Sequence, residues 1–221
     1  MQSRGFRPDL YDARPKGAAV DAQDLIGWLL VAGLVTFLVG AGRWRLEYEQ
    51  PLEVSLPLKA SDRPRLRWIQ YWMMVGVGLT SVGLASVAMF SRSIWATAAA
   101  VLYGIGATAW MIALIFRLTV EEQAAADTVK TGTVPSFYPA LAAWASGLHG
   151  LHMITAYVSS VPLAIGVITD DLGPTWLAWT GGLWGVVFAT GFVVTRGAGF
   201  LSPPFLAHLF TGALGITLLL R

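Results

Sequence analysis

Six stretches of this chain are each apolar for about the 20 residues that a helix needs to cross a bilayer core, and none contains Asp, Glu, Lys or Arg. They are Leu25–Ala41, Trp68–Phe90, Ile94–Phe116, Pro139–Ile168, Thr175–Thr195 and Pro204–Leu220. A backbone in hydrocarbon must satisfy its own hydrogen bonds, so runs of this kind fold as helices. The expected fold is therefore all-α: a polytopic membrane helix bundle of about six transmembrane helices. Charge or turn chemistry bounds each run: Asp24 and Arg43, Arg67 and Arg92, Ser93 and Arg117, Asp170-Asp171 with Gly173-Pro174, Arg196, and Ser202-Pro203-Pro204. Pro139 and Pro204 suit a first helical turn, and Pro162 is expected to kink the long fourth span.

Composition agrees. Apolar residues make up 55% and charged residues 13% of the 221, against about 25% charged in an average soluble domain. The ten Trp and 24 Gly suit interfacial belts and close helix packing. A net charge of +2, with the basic residues scattered through loops, argues against nucleic-acid binding. The chain has no Cys, which removes disulfides, iron–sulfur clusters and thiolate metal sites.

The organisation expected is a polar N-terminal tail over 1–24 of irregular structure, a five-helix bundle over 25–195 and an additional C-terminal helix within 196–221. No cleavable signal is evident. The connection 42–67 is long and polar; in 117–138, Val120-Glu-Glu-Gln-Ala-Ala-Ala-Asp-Thr-Val-Lys130 could form an interfacial helix. If the N-terminus were cytoplasmic, that face would take Arg4, Arg7, Arg14, Lys16, Arg92 and Arg221. The other face would take Arg43, Arg45, Lys59, Arg63, Arg65, Arg67, Arg117, Lys130 and Arg196. The positive-inside rule thus tilts toward an external N-terminus.

Ionisable groups inside a membrane mark function, and the spans offer few. There is no Lys for a Schiff base and no carboxylate for a proton relay. Ser146 precedes His149 by three residues, but serine in a membrane helix ordinarily bonds its own backbone, so no catalytic residue is assigned. His149 and His152 share one helix face, with Gly147 and Gly150 leaving room for a neighbouring backbone. Two buried histidines bonded between helices is the plain reading. A heme or metal on His149, His152 and His208 is the sharper one. Residues three apart on one helix cannot be opposite axial ligands of one heme. Counted from the starts of their spans, His149 and His208 differ in depth by about 9 Å at 1.5 Å per residue. Gly104 and Gly106, and Gly181, Gly182 and Gly185, are expected to mark close helix crossings.

The segment Gly147-Leu148-His149-Gly150-Leu151-His152-Met153, with Gly132-Thr133-Val134-Pro135 upstream, resembles subunit III of the heme–copper oxidases. Trp184, Phe188, Ala189 and Thr190 fall where that family's last helix has similar residues, and the resemblance covers roughly residues 25–195. It implies a non-catalytic accessory subunit of a respiratory oxidase or related electron-transfer complex. Such a subunit would pack beside a heme-bearing subunit, bind phospholipid, carry no cofactor of its own, and sit in a membrane expected to be the prokaryotic cytoplasmic one. The chain departs from the family's pattern. The first span is apolar around Val31-Ala32, Trp110 to Phe116 lacks the Gln and Glu, and Leu177 to Gly181 lacks the His and Asp. Roles tied to those positions do not transfer. The alternatives from the residues alone are a stand-alone heme- or quinone-binding membrane protein, and a small transporter or sensor.

Overall fold

The computed structural model describes residues 16–197 and 203–221. It is all-α, with no strand among the described residues. Five helical segments are long and apolar enough to cross a membrane: Ala22–Ala41, Arg63–Ser91, Ile94–Thr131, Tyr138–Thr169 and Thr175–Val194. The chain is an integral membrane protein. The sixth expected span is a shorter apolar segment, Pro204–Leu219. It opens as a 3-10 turn, Pro204–His208, with proline in its first turn.

The helices are α1 (Lys16–Ala41), α2 (Leu52–Ser61), α3 (Arg63–Ser91), α4 (Ile94–Phe116), α5 (Glu122–Thr131), α6 (Tyr138–Thr169), α7 (Thr175–Val194) and α8 (Leu209–Leu219). The N-terminal tail expected to be irregular is helical from Lys16, and its residues 1–15 lie outside the described residues. The polar connection 42–67 is also largely helical, through α2 and the start of α3. The helix expected near 120–130 is α5, joined to α4 by one π turn over Arg117–Glu121. It stops at Gly132, whose φ of 72° is the left-handed conformation that ends helices. Pro162 lies within α6, a 32-residue helix that continues past it to Thr169.

Neighbours in sequence pack as neighbours in space: α1 on α3, α3 on α4, α4 on α6, α6 on α7. The last helix breaks this order. α8 packs along α1, and the 3-10 turn before it touches both α1 and α6. That return brings His208 into the middle of the bundle. A second, smaller cluster of Leu56, Phe116, Ala124, Ala125, Tyr138 and Ala145 joins α2 and α5 at the end where α4 finishes.

Glycine decides how closely the helices approach. A Cβ at Gly76 on α3 would lie 2.7 Å from the backbone N of Phe37 on α1, and one at Gly33 would lie 2.9 Å from the backbone N of Thr80. On the far side of the bundle, a Cβ at Gly185 on α7 would lie 2.6 Å from the carbonyl of Tyr157 on α6. Gly106 on α4 faces Thr155 and the backbone of His152, and Gly181 faces the ring of Phe210. The other glycines expected at crossings are elsewhere. Gly104 and Gly147 face open space, and Gly150 and Gly182 meet only ordinary contacts, with Phe192 at 3.9 Å and Ala164 at 3.6 Å. A membrane helix apolar all round gives no pattern that separates a lipid-facing glycine from a packed one.

Candidate functional site

Two of the polar side chains buried in the membrane part meet across helices. His152 of α6 and His208 before α8 are both fully buried, and their ring centroids are 6.1 Å apart. The depth count separates His208 from this level because it assumes that both helices start together. In fact α6 runs for 32 residues, while the last helix has 11 after its 3-10 turn.

Three helices, α1, α3 and α4, position the His208 ring. Phe37 of α1 packs against it with centroids 4.2 Å apart. The hydroxyls of Thr80 (α3) and Tyr103 (α4) each stand 3.3 Å from its Nδ1. Thr80 also donates to the carbonyl of Gly76 at 3.0 Å. With its one hydrogen spent there, Thr80 offers a lone pair to His208, which favours the tautomer with the proton on Nδ1. The Nε2 of His208 has no hydrogen-bond partner within the protein.

His152 lies flat against Trp110 of α4, 5.5 Å between centroids and 16° between planes. His149, one turn earlier, packs on the same indole at 4.6 Å. The two histidines therefore do share a face, and that face is laid against Trp110. The α4 backbone at Gly106 comes up against the backbone of His152, and neither ring nitrogen of His152 completes a hydrogen bond within the protein. Gly106 itself is what lets the α4 backbone come this close. Tyr103 completes the cluster, its ring 6.1 Å from His152 and 5.9 Å from His208.

Tyr103 stands nearly equidistant from the two imidazoles, across the plane midway between them. A porphyrin ligated by both rings would need that plane, so this packing leaves no slot for a heme there. His149 does not join a triad: among the described residues no group of three His, Cys, Asp or Glu could hold one metal ion. Ser146 is exposed on α6, so no serine nucleophile is assembled on these histidines.

Thr80, Tyr103, Trp110 and Phe37 are the site residues that sequence reading misses. Each sits in a continuous apolar run with no periodicity to show which way it faces. The one available signal was weak and covers Thr80 and the Tyr103 hydroxyl only: polar side chains in lipid prefer the bundle interior.

Most of the ion pairs among the described residues lie at the end formed by α2, α5 and the connection after α1; Arg221 with Asp171 is apart from them. Asp62 accepts from the Tyr48 hydroxyl at 2.7 Å and from Arg45 at 2.8 Å. The bond from Tyr48 is the first cause holding the Asp62 carboxyl below its usual range. Burial, and then the same bond, push Tyr48 up to about 12. Lys59 of α2 meets Glu121 at 2.6 Å, and Arg63 and Arg67 of α3 both clasp Glu122 at 2.7 Å. Arg117 lies over the rings of Trp44 and Trp110 at 5.3 and 5.2 Å, linking this end to the indole that supports the histidines.

Compared with known protein families, characterised proteins and solved structures, the chain matches none.

Proposed function

We propose that this chain is a non-catalytic accessory subunit of a membrane electron-transfer complex, of the respiratory oxidase kind. It would pack beside a heme-bearing subunit in a prokaryotic cytoplasmic membrane and hold lipid against its outer face. The motif that carries His149 and His152 motivates the reading. The structural observation that supports it is the state of α7. This helix is the least buried of the five long spans, with 28% of its apolar window covered against 61% for α6. Its free side presents Trp176, Trp179, Leu183 and Val187. Beside them, a shallow groove lined by Trp179, Leu183, Trp184, Val187 and Phe188 has the shape and polarity for an acyl chain.

The test is a photo-crosslinking residue at Trp179 or Leu183, followed by mild-detergent extraction from the native membrane. Recovery of a crosslinked heme-bearing polypeptide, with no heme on this chain, supports the reading. A chain that extracts alone and crosslinks only to lipid overturns it.

The second reading, a stand-alone ligand-binding membrane protein, is favoured by a different observation: the buried constellation of His152, His208 and Tyr103. Heme at that pair conflicts with the position of Tyr103, so this reading needs a smaller ligand.

A further inference from the structure

We propose that His208 is a proton-sensitive latch. Its neutral ring fastens the head of the last helical segment into the bundle, and a proton on that ring releases the 3-10 turn Pro204–His208 and the start of α8. This does not depend on the accessory-subunit reading.

The pocket is built for a neutral ring. His208 is fully buried, and the groups that face it are Phe37 from α1, Thr80 from α3, Tyr103 from α4 and His152 from α6. None is a carboxylate, and the apolar runs that form the membrane part contain no Asp or Glu. The nearest groups able to carry charge are of the wrong sign. The His152 imidazole is 6.1 Å away, and behind it the Trp110 indole carries His149 and the Arg117 guanidinium. A proton on His208 would thus be a buried charge with no counter-charge. It would also need a second acceptor, because both nitrogens of an imidazolium are donors. Nδ1 has the Thr80 and Tyr103 hydroxyls, but Nε2 has no partner within the protein.

His208 is also the member of the cluster that can leave. His152 lies inside the 32 residues of α6. His208 ends a five-residue 3-10 turn, and only 11 residues of α8 follow it. Apart from the ring, the printed side-chain bond on the turn is the one from Trp184 of α7 to the carbonyl of Leu206, at 3.2 Å. The other end of α8 is tied down separately. Gln23 donates to the carbonyl of Leu218 at 2.9 Å, Arg221 meets the Asp171 carboxylate at 3.1 Å, and a Cβ at Gly215 would lie 2.8 Å from the carbonyl of Gly27. The segment can therefore open from its His208 end and pivot on its far end, a local opening rather than a global one. The latch is closed above the ordinary imidazole value and loosens as the pH falls below it.

The test is hydrogen exchange read by mass spectrometry on the full chain in lipid nanodiscs, from pH 8 to pH 5, corrected for the intrinsic pH dependence of exchange. An opening that exposes one imidazole takes up one proton below about pH 6.5. Exchange over residues 205–215 should therefore accelerate by about tenfold per pH unit there, while α3 and α4 stay protected. His208→Gln takes up no proton at this site and should give a flat profile. Thr80→Asp places a carboxylate beside Nδ1, gives the proton a counter-charge in the closed state, and should remove the acceleration while His208 is still present. That variant carries the test if His208→Gln does not fold. A flat wild-type profile, an acceleration shared equally by all the helices, or an acceleration retained in His208→Gln or in Thr80→Asp would each overturn the proposal.

Discussion

The imidazole of His152 lies parallel to the indole of Trp110, 16° between planes and 5.5 Å between centroids. The indole thus has a histidine on its face, a second histidine at 4.6 Å and the Arg117 guanidinium at 5.2 Å. Trp110 is 1% exposed, so one side chain ties α4 to α6 and to the charged end of the bundle.

Removing that side chain should be costly. Trp110→Ala is expected to destabilise the protein by about 3–5 kcal/mol, the range for deleting a buried aromatic ring, and Trp110→Phe by clearly less. Thermal unfolding in mild detergent, followed by circular dichroism, checks this. Equal melting temperatures for Trp110→Ala and wild type would mean that the ring packing is incidental.

The glycines should divide by what faces them. Gly76→Leu has no space, because even a Cβ would lie 2.7 Å from a backbone nitrogen of α1. It is expected to abolish a monodisperse folded species on size-exclusion chromatography. Gly104→Leu enters open space and should change stability by no more than about 0.5 kcal/mol. The reverse ranking would show that α1 and α3 do not cross where the structure has them.

The Tyr48–Asp62 bond predicts a pH dependence with a definite sign at each end. Tyr48 is raised from its usual 10.0 to about 12. Its contribution to stability is therefore complete below pH 10 and fades as the pH climbs from there through 12. Asp62 is lowered, so its contribution holds above the ordinary carboxylate value and is lost as the pH falls through the depressed one. Tyrosinate absorbance, taken as the difference between wild type and Tyr48→Phe, should place the Tyr48 midpoint near 12. Asp62→Asn should move it down toward the ordinary value. A wild-type midpoint already at 10 would remove the bond from the account.

Lys59 and Glu121, each with a side chain 11% exposed, hold α2 against the π turn before α5 at 2.6 Å. Lys59→Met strands the carboxylate and should cost about 3 kcal/mol, whereas Lys59→Met with Glu121→Leu should recover most of that loss. Hydrogen exchange over residues 52–61 reads the effect directly. Protection in the double variant no better than in Lys59→Met would mean that α2 is held by the charge pair itself rather than by apolar packing on Leu56.

Helix content and membrane embedding were determined by the sequence alone, for a local reason. A run without charge has one low-energy way to satisfy its backbone in hydrocarbon, and charged or proline-bearing residues mark where it must stop. The pairing of His149 with His152 on one face is equally local, being a matter of helical spacing. What only the tertiary structure decided is which residues meet across helices. Phe37, Thr80, Tyr103 and His208 come from four different parts of the chain. Their meeting depends on α8 returning to α1 and on Gly33, Gly76 and Gly106 allowing backbones to touch. The same uniform apolarity that reveals the spans conceals their facing, because in lipid both the buried and the exposed side of a helix are apolar.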